Sequence, residues 1–455
     1  MKRRSLSLIA VLALVGFPAA SRAQVPDPTL AGPIEGGIHG YPLWDSWFDL
    51  SELGYEEAEY FVSGTATARG SDATAPFTTR IIVTKPSSPE DFNGTVLLEW
   101  VNVTAQFENA VDIVSAHEML LRDGFAYLHV SAQAAGICCT PLTPKIWDPV
   151  RYEPLTHPGD DYSFDMFSQV AKAVRAPTGI DPMGGLSVER VLAAGQSQSA
   201  SRLYTYVTEV QAGAGVIDGF LIHGGGSKRF EPPPAVPVLH LLSDREASLE
   251  EPNTSENYAL WEIAGSAHSD FWIGYHQEVG QGPRFAGAPK QPASADDDMH
   301  AVAGNYGEQL HPMHGTCILA GSAFPMRYSV SAALHHLNIW VRDGVRPPTG
   351  DRFAFSGSAL DEHGNALGGI RLPPVEVPVA RYVSTLCNLG GITIPFTDLQ
   401  LQQLYPTHAD YYCKVVAATE TSVQDGFLLE PDAEDLLARA DAASNRWTDV
   451  GMKDC

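Results

Sequence analysis

Positive charge is scarce in this 455-residue sequence: 29 lysines and arginines face 54 aspartates and glutamates, for a net charge of −25. A surface this acidic repels phosphate backbones and anionic lipid, which argues against nucleic-acid and membrane-surface partners. No CxxC pair occurs, so a dithiol redox motif or a thiolate zinc site lacks its usual spacing. No HExxH run and no carboxylate loop with calcium spacing occurs either, and no metal or other cofactor is expected. His311, His314, His335, His336, Asp296, Asp297, Asp298 and His300 therefore read as solvated loop charges and core-edge histidines. Past the N-terminus no stretch reaches the ~20 apolar residues that span a bilayer, and no internal repeat is found. Apolar residues are plentiful, at 44%. That excludes a disordered chain and suffices for one large α/β domain with insertions, or for two domains.

The N-terminus reads as an address. Lys2, Arg3 and Arg4 precede an apolar run from Leu6 to Phe17, and Ser21 and Ala23 supply small residues before a cut ahead of Gln24. Residues 1–23 are thus expected to be a cleaved signal peptide, giving a periplasmic or secreted protein. Losing the four leader cations would take the net charge from −25 to −29. Export exposes all six cysteines, Cys138, Cys139, Cys317, Cys387, Cys413 and Cys455, to oxidation, without fixing their pairing.

Apolar runs separated by helical patterns organise the rest. Residues 61–69 and 78–85 alternate like antiparallel edge strands. TVLLEWVNV (95–103), FAYLHVSAQ (125–133), RVLAAG (190–195), GFLIHGG (219–225), PVLHLLS (237–243) and ALWEIAG (259–265) read as strands buried on both faces. Helices are expected over 109–124, 165–176 and 329–344. Strands alternating with helices predict a mainly parallel sheet covered on both sides. The core is expected over 24–344. Within it, Gly, Pro, His and aromatics at about 269–330 suggest a loop-rich, lid-like insertion. Residues 345–455 read as a C-terminal extension packed on the core.

In RVLAAGQSQSASR the run stops at Gly195 and Ser197 follows. A strand ending in Gly-x-Ser-x-small before a helix is a nucleophile elbow, which lifts the serine hydroxyl above the sheet. GxSxS alone reads as an ordinary strand-to-helix cap ahead of a nucleophile, by roughly two to one, so context decides. In chain order an acid and a histidine should follow, each after a later strand. Asp244 and Glu246 follow PVLHLLS, and His268 follows ALWEIAG. His268 would take the Ser197 proton while a buried carboxylate orients the imidazole. Glu246 is the preferred acid and Asp244 its alternative. Oxyanion donors are expected at the Gln198 N–H and in the loop at Asn102 and Val103. Gln133 and Tyr162, at strand or loop ends, and Trp272, beside His268, are substrate-binding candidates. As an aromatic, Trp272 reads equally as core.

The sequence resembles the bacterial family of alpha/beta hydrolase domain proteins. The resemblance rests on EWVNV (99–103), VSAQ (130–133), HPGDDYSFD (157–165), GQSQS (195–199), SDRE (243–246), WEIAGSAHSD (261–270) and DEHGNALGGIRLP (361–373). It implies an α/β-hydrolase fold and a serine hydrolase using Ser197 and His268. The chain departs from the family pattern in the order of its carboxylate pair, Asp244 before Glu246. The expectation is an exported esterase that cleaves a small-molecule carboxylic ester through an acyl-enzyme. Amide or lactone cleavage is a variant on the same triad. The alternative is a non-catalytic carbohydrate- or lipid-binding protein on the same scaffold.

Overall fold

The computed structural model describes residues 25–226, 229–246, 255–302, 304–307, 321–354 and 359–455. The expected signal peptide lies outside them, as do His311, His314, Cys317 and the side chains of Asp298 and His300.

Nine strands form one sheet among the described residues: β1 Thr29–Ala31, β2 Tyr55–Thr67, β3 Thr74–Pro86, β4 Thr95–Trp100, β5 Ala126–Val130, β6 Arg190–Gln196, β7 Gly219–His223, β8 Val238–Ser243 and β9 Tyr258–Ile263. Their order is β1-β2-β3-β5-β4-β6-β7-β8-β9. The β1–β2, β2–β3 and β3–β5 pairs are antiparallel, and every pair from β5 to β9 is parallel. The continuous apolar runs became the central strands because both of their faces are covered, and β4, β5 and β8 are buried at every residue.

Alternation along each strand divides the core in two. Leu97, Leu192 and Leu241 face α1 (Val111–Arg122) and a later helix, Met326–Asp343, through Leu120, Leu334 and Leu337. Val96, Leu98 and Val191 face α2 (Ser163–Arg175) and α3 (Gln198–Thr205) through Phe167, Val170 and Leu203. Residues beyond 345 add Leu401, Tyr411, Leu436 and Trp447 to the first of these cores. They are also tied to β9, where the Ile370 N–H donates to the Glu262 carbonyl at 2.7 Å. Among the cysteines, Cys138 bonds to Cys139 and Cys413 to Cys455.

The segment 269–330 is more helical than its composition predicts. It contains α4 (Phe271–Tyr275), capped by Asp270, and α5 (Ser294–Ala301), and α6 (Met326–Asp343) starts three residues ahead of the expected 329. The first of these runs on through a π-helical stretch, His276–Gln281, into Gly282–Phe285, and that widened turn breaks the regular helical period. The segment is held to α1: the Trp272 Nε1–H donates to the Val114 carbonyl at 3.0 Å, and His117 Nε2 lies 2.5 Å from Asp296 Oδ2.

Burial lowers the proton affinity of His117, but the Asp296 carboxylate outweighs it and the pKa rises to about 9. The folded value lies above the unfolded one, so the pair's stabilisation is whole below about pH 6.5. It is lost as pH rises through about 9. Urea titrations between about pH 7 and 10 should therefore show a falling midpoint that Asp296→Asn flattens.

Candidate active site

Strand β6 ends at Gln196, and Ser197 turns the chain into α3 with φ 62° and ψ −113°. The Ser197 N–H donates to the His223 carbonyl at the end of β7, 2.8 Å away. A Cβ at Gly195 would lie 3.0 Å from the Cβ of Ser199, so the position before the turn takes glycine and the one after it a small residue. Ser197 and Gln198 remain partly exposed above this packed base.

The loop after β9 carries His268. Its Nε2 lies 2.7 Å from Ser197 Oγ and its Nδ1 lies 2.9 Å from Glu246 Oε1. Glu246 also accepts from the Gly225 N–H at 2.8 Å and the Ser243 hydroxyl at 2.9 Å. A Cβ at Gly224, φ 73°, would come within 2.7 Å of Glu246 Oε1, so the turn after β7 needs glycine to admit the carboxylate. Burial raises the Glu246 pKa, but hydrogen bonding and charge attraction from His268, helped by Ser243, bring it down to about 2. With Glu246 ionised, a proton on His268 Nδ1 is donated to it, and Nε2 faces the Ser197 hydroxyl at 2.7 Å and the Gln196 amide nitrogen at 3.2 Å.

Asp244 lies elsewhere. Its N–H donates to Ser266 Oγ at 3.2 Å, and its carboxyl bonds Ser384 and the Gly265 N–H. Burial lifts it to about 7 against those bonds.

Not every expected residue is brought to this centre. The Asn102 N–H, an expected oxyanion donor, is already spent on the Asn109 carbonyl at 3.0 Å, and the Asn102 side chain donates to the Gln196 carbonyl at 3.0 Å. Asn102 braces the elbow instead. The neighbouring Val103 N–H has no partner among the described residues, and the Gln198 N–H, first in α3, has none within its helix. Gln133 is buried with its amide fully engaged, accepting from Trp100 Nε1 at 3.0 Å and donating to Asp160 at 2.9 Å. Tyr162 packs against the core beneath α2 and α3. Trp272 packs with Trp47 and Phe48, its N–H bonded to α1. Gln133 is thus committed to hydrogen bonds and Trp272 to packing, while Tyr162 stays half-buried at the head of α2. Sequence reading missed Gln196, whose amide donates to the His268 carbonyl at 2.9 Å and steadies the imidazole. The glutamine in GQSQS was its one visible signal. No group of three or more His, Cys, Asp or Glu side chains able to hold a metal occurs among the described residues. His335 pairs with Asp123, and His336 meets the Gly426 carbonyl.

A family model described as "Alpha/beta hydrolase domain" matches residues 30–438. No curated protein matches the chain. Solved structures similar to part of it include a lid-less a/b serine hydrolase of Xanthomonas campestris, 15% identical, covering 50% of this chain and 93% of its own, TM-score 0.27. Another is the esterase Est1E of Butyrivibrio proteoclasticus, 12% identical, covering 49% of this chain and 97% of its own, TM-score 0.27. A third is a glucuronoyl esterase of Teredinibacter turnerae, 11% identical, covering 48% of this chain and 62% of its own, TM-score 0.26.

Asp244 gives a sharp prediction. Its folded pKa is raised to about 7, so wild-type stability falls relative to Asp244→Asn as pH climbs from about 4, where the unfolded carboxyl ionises. The variant should melt at a higher temperature than wild type near pH 8 and at the same temperature near about pH 4.

Proposed function

The chain belongs to the alpha/beta hydrolase domain family, and from that premise we propose that it is a serine esterase with Ser197 as nucleophile, His268 as general base and acid, and Glu246 as the orienting carboxylate. One observation carries the reading: a hydroxyl on a strained turn, 2.7 Å from an imidazole that is itself 2.9 Å from a buried carboxylate. Nothing in a strand-to-helix cap requires that relay.

The chemistry follows from these contacts. Ser197 Oγ attacks the ester carbonyl carbon as His268 Nε2 takes its proton, and Glu246 stabilises the imidazolium. The N–H groups of Gln198 and Val103 receive the oxyanion. Collapse of the tetrahedral intermediate breaks the C–O bond, and the alcohol leaves with the proton from His268. Water then attacks the acyl-enzyme by the same route, releasing the acid and restoring Ser197. A carboxylate held near pKa 2 stays ionised through any working pH. We further propose that the protein is exported, on the strength of the basic, apolar and small-residue succession in residues 1–23.

A fluorophosphonate should label Ser197 and no other residue. Ser197→Ala should lower kcat by about 10⁶ and Glu246→Gln by about 10⁴, each in a protein with wild-type circular dichroism. Asp244→Asn should retain turnover. Unchanged hydrolysis in Ser197→Ala would end the proposal, and a folded wild type that neither labels nor turns over any ester would favour a binding protein on the hydrolase scaffold. N-terminal sequencing of the exported protein should begin at Gln24; an intact Met1 would refute cleavage.

A further inference from the structure

A cavity of about 290 Å³ lies against one face of β3 and β5, alongside α1 from Ala110 to Leu121. For scale, a dry cavity of about 150 Å³ lined by aliphatic and aromatic side chains takes up benzene. Trp44, Trp47, Phe48, Phe107, Ile113 and Phe285 are among its walls. Ionisable and polar side chains stand among them, most of them engaged elsewhere, while Glu108 Oε1, Trp44 Nε1 and Gln277 Nε2 find no hydrogen-bond partner among the described residues. Glu108 pairs with Arg80 at 2.7 Å and with His129 at 3.0 Å, His117 pairs with Asp296, and Glu57 meets Lys290 at 3.2 Å. The Trp47 indole N–H donates to His276 at 2.8 Å. The surface left to a guest is mostly apolar, with a few polar atoms able to meet one polar group.

The position of the cavity says what the guest is. Asn109, in its wall, exchanges two backbone hydrogen bonds with Asn102 at 2.8 and 3.0 Å. Asn102 in turn holds the Gln196 carbonyl, one residue before Ser197. Strand β4 alone separates β5 from β6 in the sheet, and the Asn102–Asn109 pair links the cavity wall to the elbow. A carbonyl held at Ser197 can send a long substituent past the Asn102–Asn109 bridge, and a short one stops before it.

We propose that this cavity binds the apolar arm of the substrate, and that the substrate class is esters carrying a medium-length alkyl or aryl group. The proposal rests on the esterase reading above for its catalytic half. The arm belongs to either the acyl or the alcohol part, and the two are separable by experiment.

The test compares kcat/KM for p-nitrophenyl esters from acetate to decanoate, and for 1-alkyl acetates of the same lengths followed by pH-stat. One series should rise by about fourfold per methylene once the chain passes the bridge, and which series rises assigns the arm. In Leu142→Trp, which places an indole in the cavity wall, the decanoate-to-acetate ratio, or its alkyl counterpart, should collapse toward one. A second measurement needs no turnover: 1-decanol titrated into Ser197→Ala by calorimetry should bind with a negative heat-capacity change, and Leu142→Trp added to that variant should abolish binding. Turnover with flat profiles in both series, or an absence of decanol binding, overturns the cavity proposal. Decanol binding by a protein that hydrolyses no ester upholds the cavity and refutes the esterase.

Discussion

A serine at φ 62° is a conformation that L-residues avoid, at a cost of about 1–3 kcal/mol. It persists because its surroundings leave no alternative. The His223 carbonyl takes the Ser197 N–H, Asn102 takes the carbonyl before it, and Gly195 and Ser199 pack too closely to admit larger side chains. Relaxing the turn would break these contacts together. The strain therefore aims the hydroxyl while the sheet supplies the rigidity.

A second constraint is charge buried beneath the N-terminal segment. Arg80 is wholly buried and meets Glu59 at 2.8 Å and Glu108 at 2.7 Å, and Arg151 meets Glu59 at 2.6 Å. Ions taken out of water are tolerated only where geometry and hydrogen bonds make good the lost hydration. Here the surplus donors reach backbone: Arg80 holds the Leu43 carbonyl, and Arg151 holds those of Ile34 and Gly36. The chain that continues into Trp44, Trp47 and Phe48 is thereby pinned over β3 and β5. The polar lattice reaches the cavity itself, because Glu108 belongs to both.

What could be read from the sequence was whatever depends on local pattern. Strands buried on both faces announce themselves as apolar runs, and their ends pointed to Ser197, Glu246 and His268, three side chains that lie in hydrogen-bond contact in the structure. The choice of Glu246 over Asp244 turned on reach: three residues beyond the strand, the longer side chain returns to the imidazole, while Asp244 turns toward Ser266 and Ser384. Strand-end position could not reveal which side chains were already spent. Gln133 and Trp272 stand at the expected level, yet Trp100, Asp160 and Val114 had claimed them. Nor could it reveal the cavity, which joins Trp47 to His276 across more than two hundred residues of chain.

The loop that presents His268 is held by backbone from far downstream. The Ser269 N–H donates to the Leu389 carbonyl at 3.0 Å, the Phe271 N–H to that of Ser322 at 2.9 Å, and the Ser322 N–H to that of Gly390 at 2.9 Å. Gly391 packs so closely on Ala267 that a Cβ there would sit 2.9 Å from it. On the ribosome, then, the serine emerges long before the backbone that aims its histidine. A chain released early, or clipped ahead of Leu389, would carry all three polar groups of the relay and lack the scaffold that makes them one.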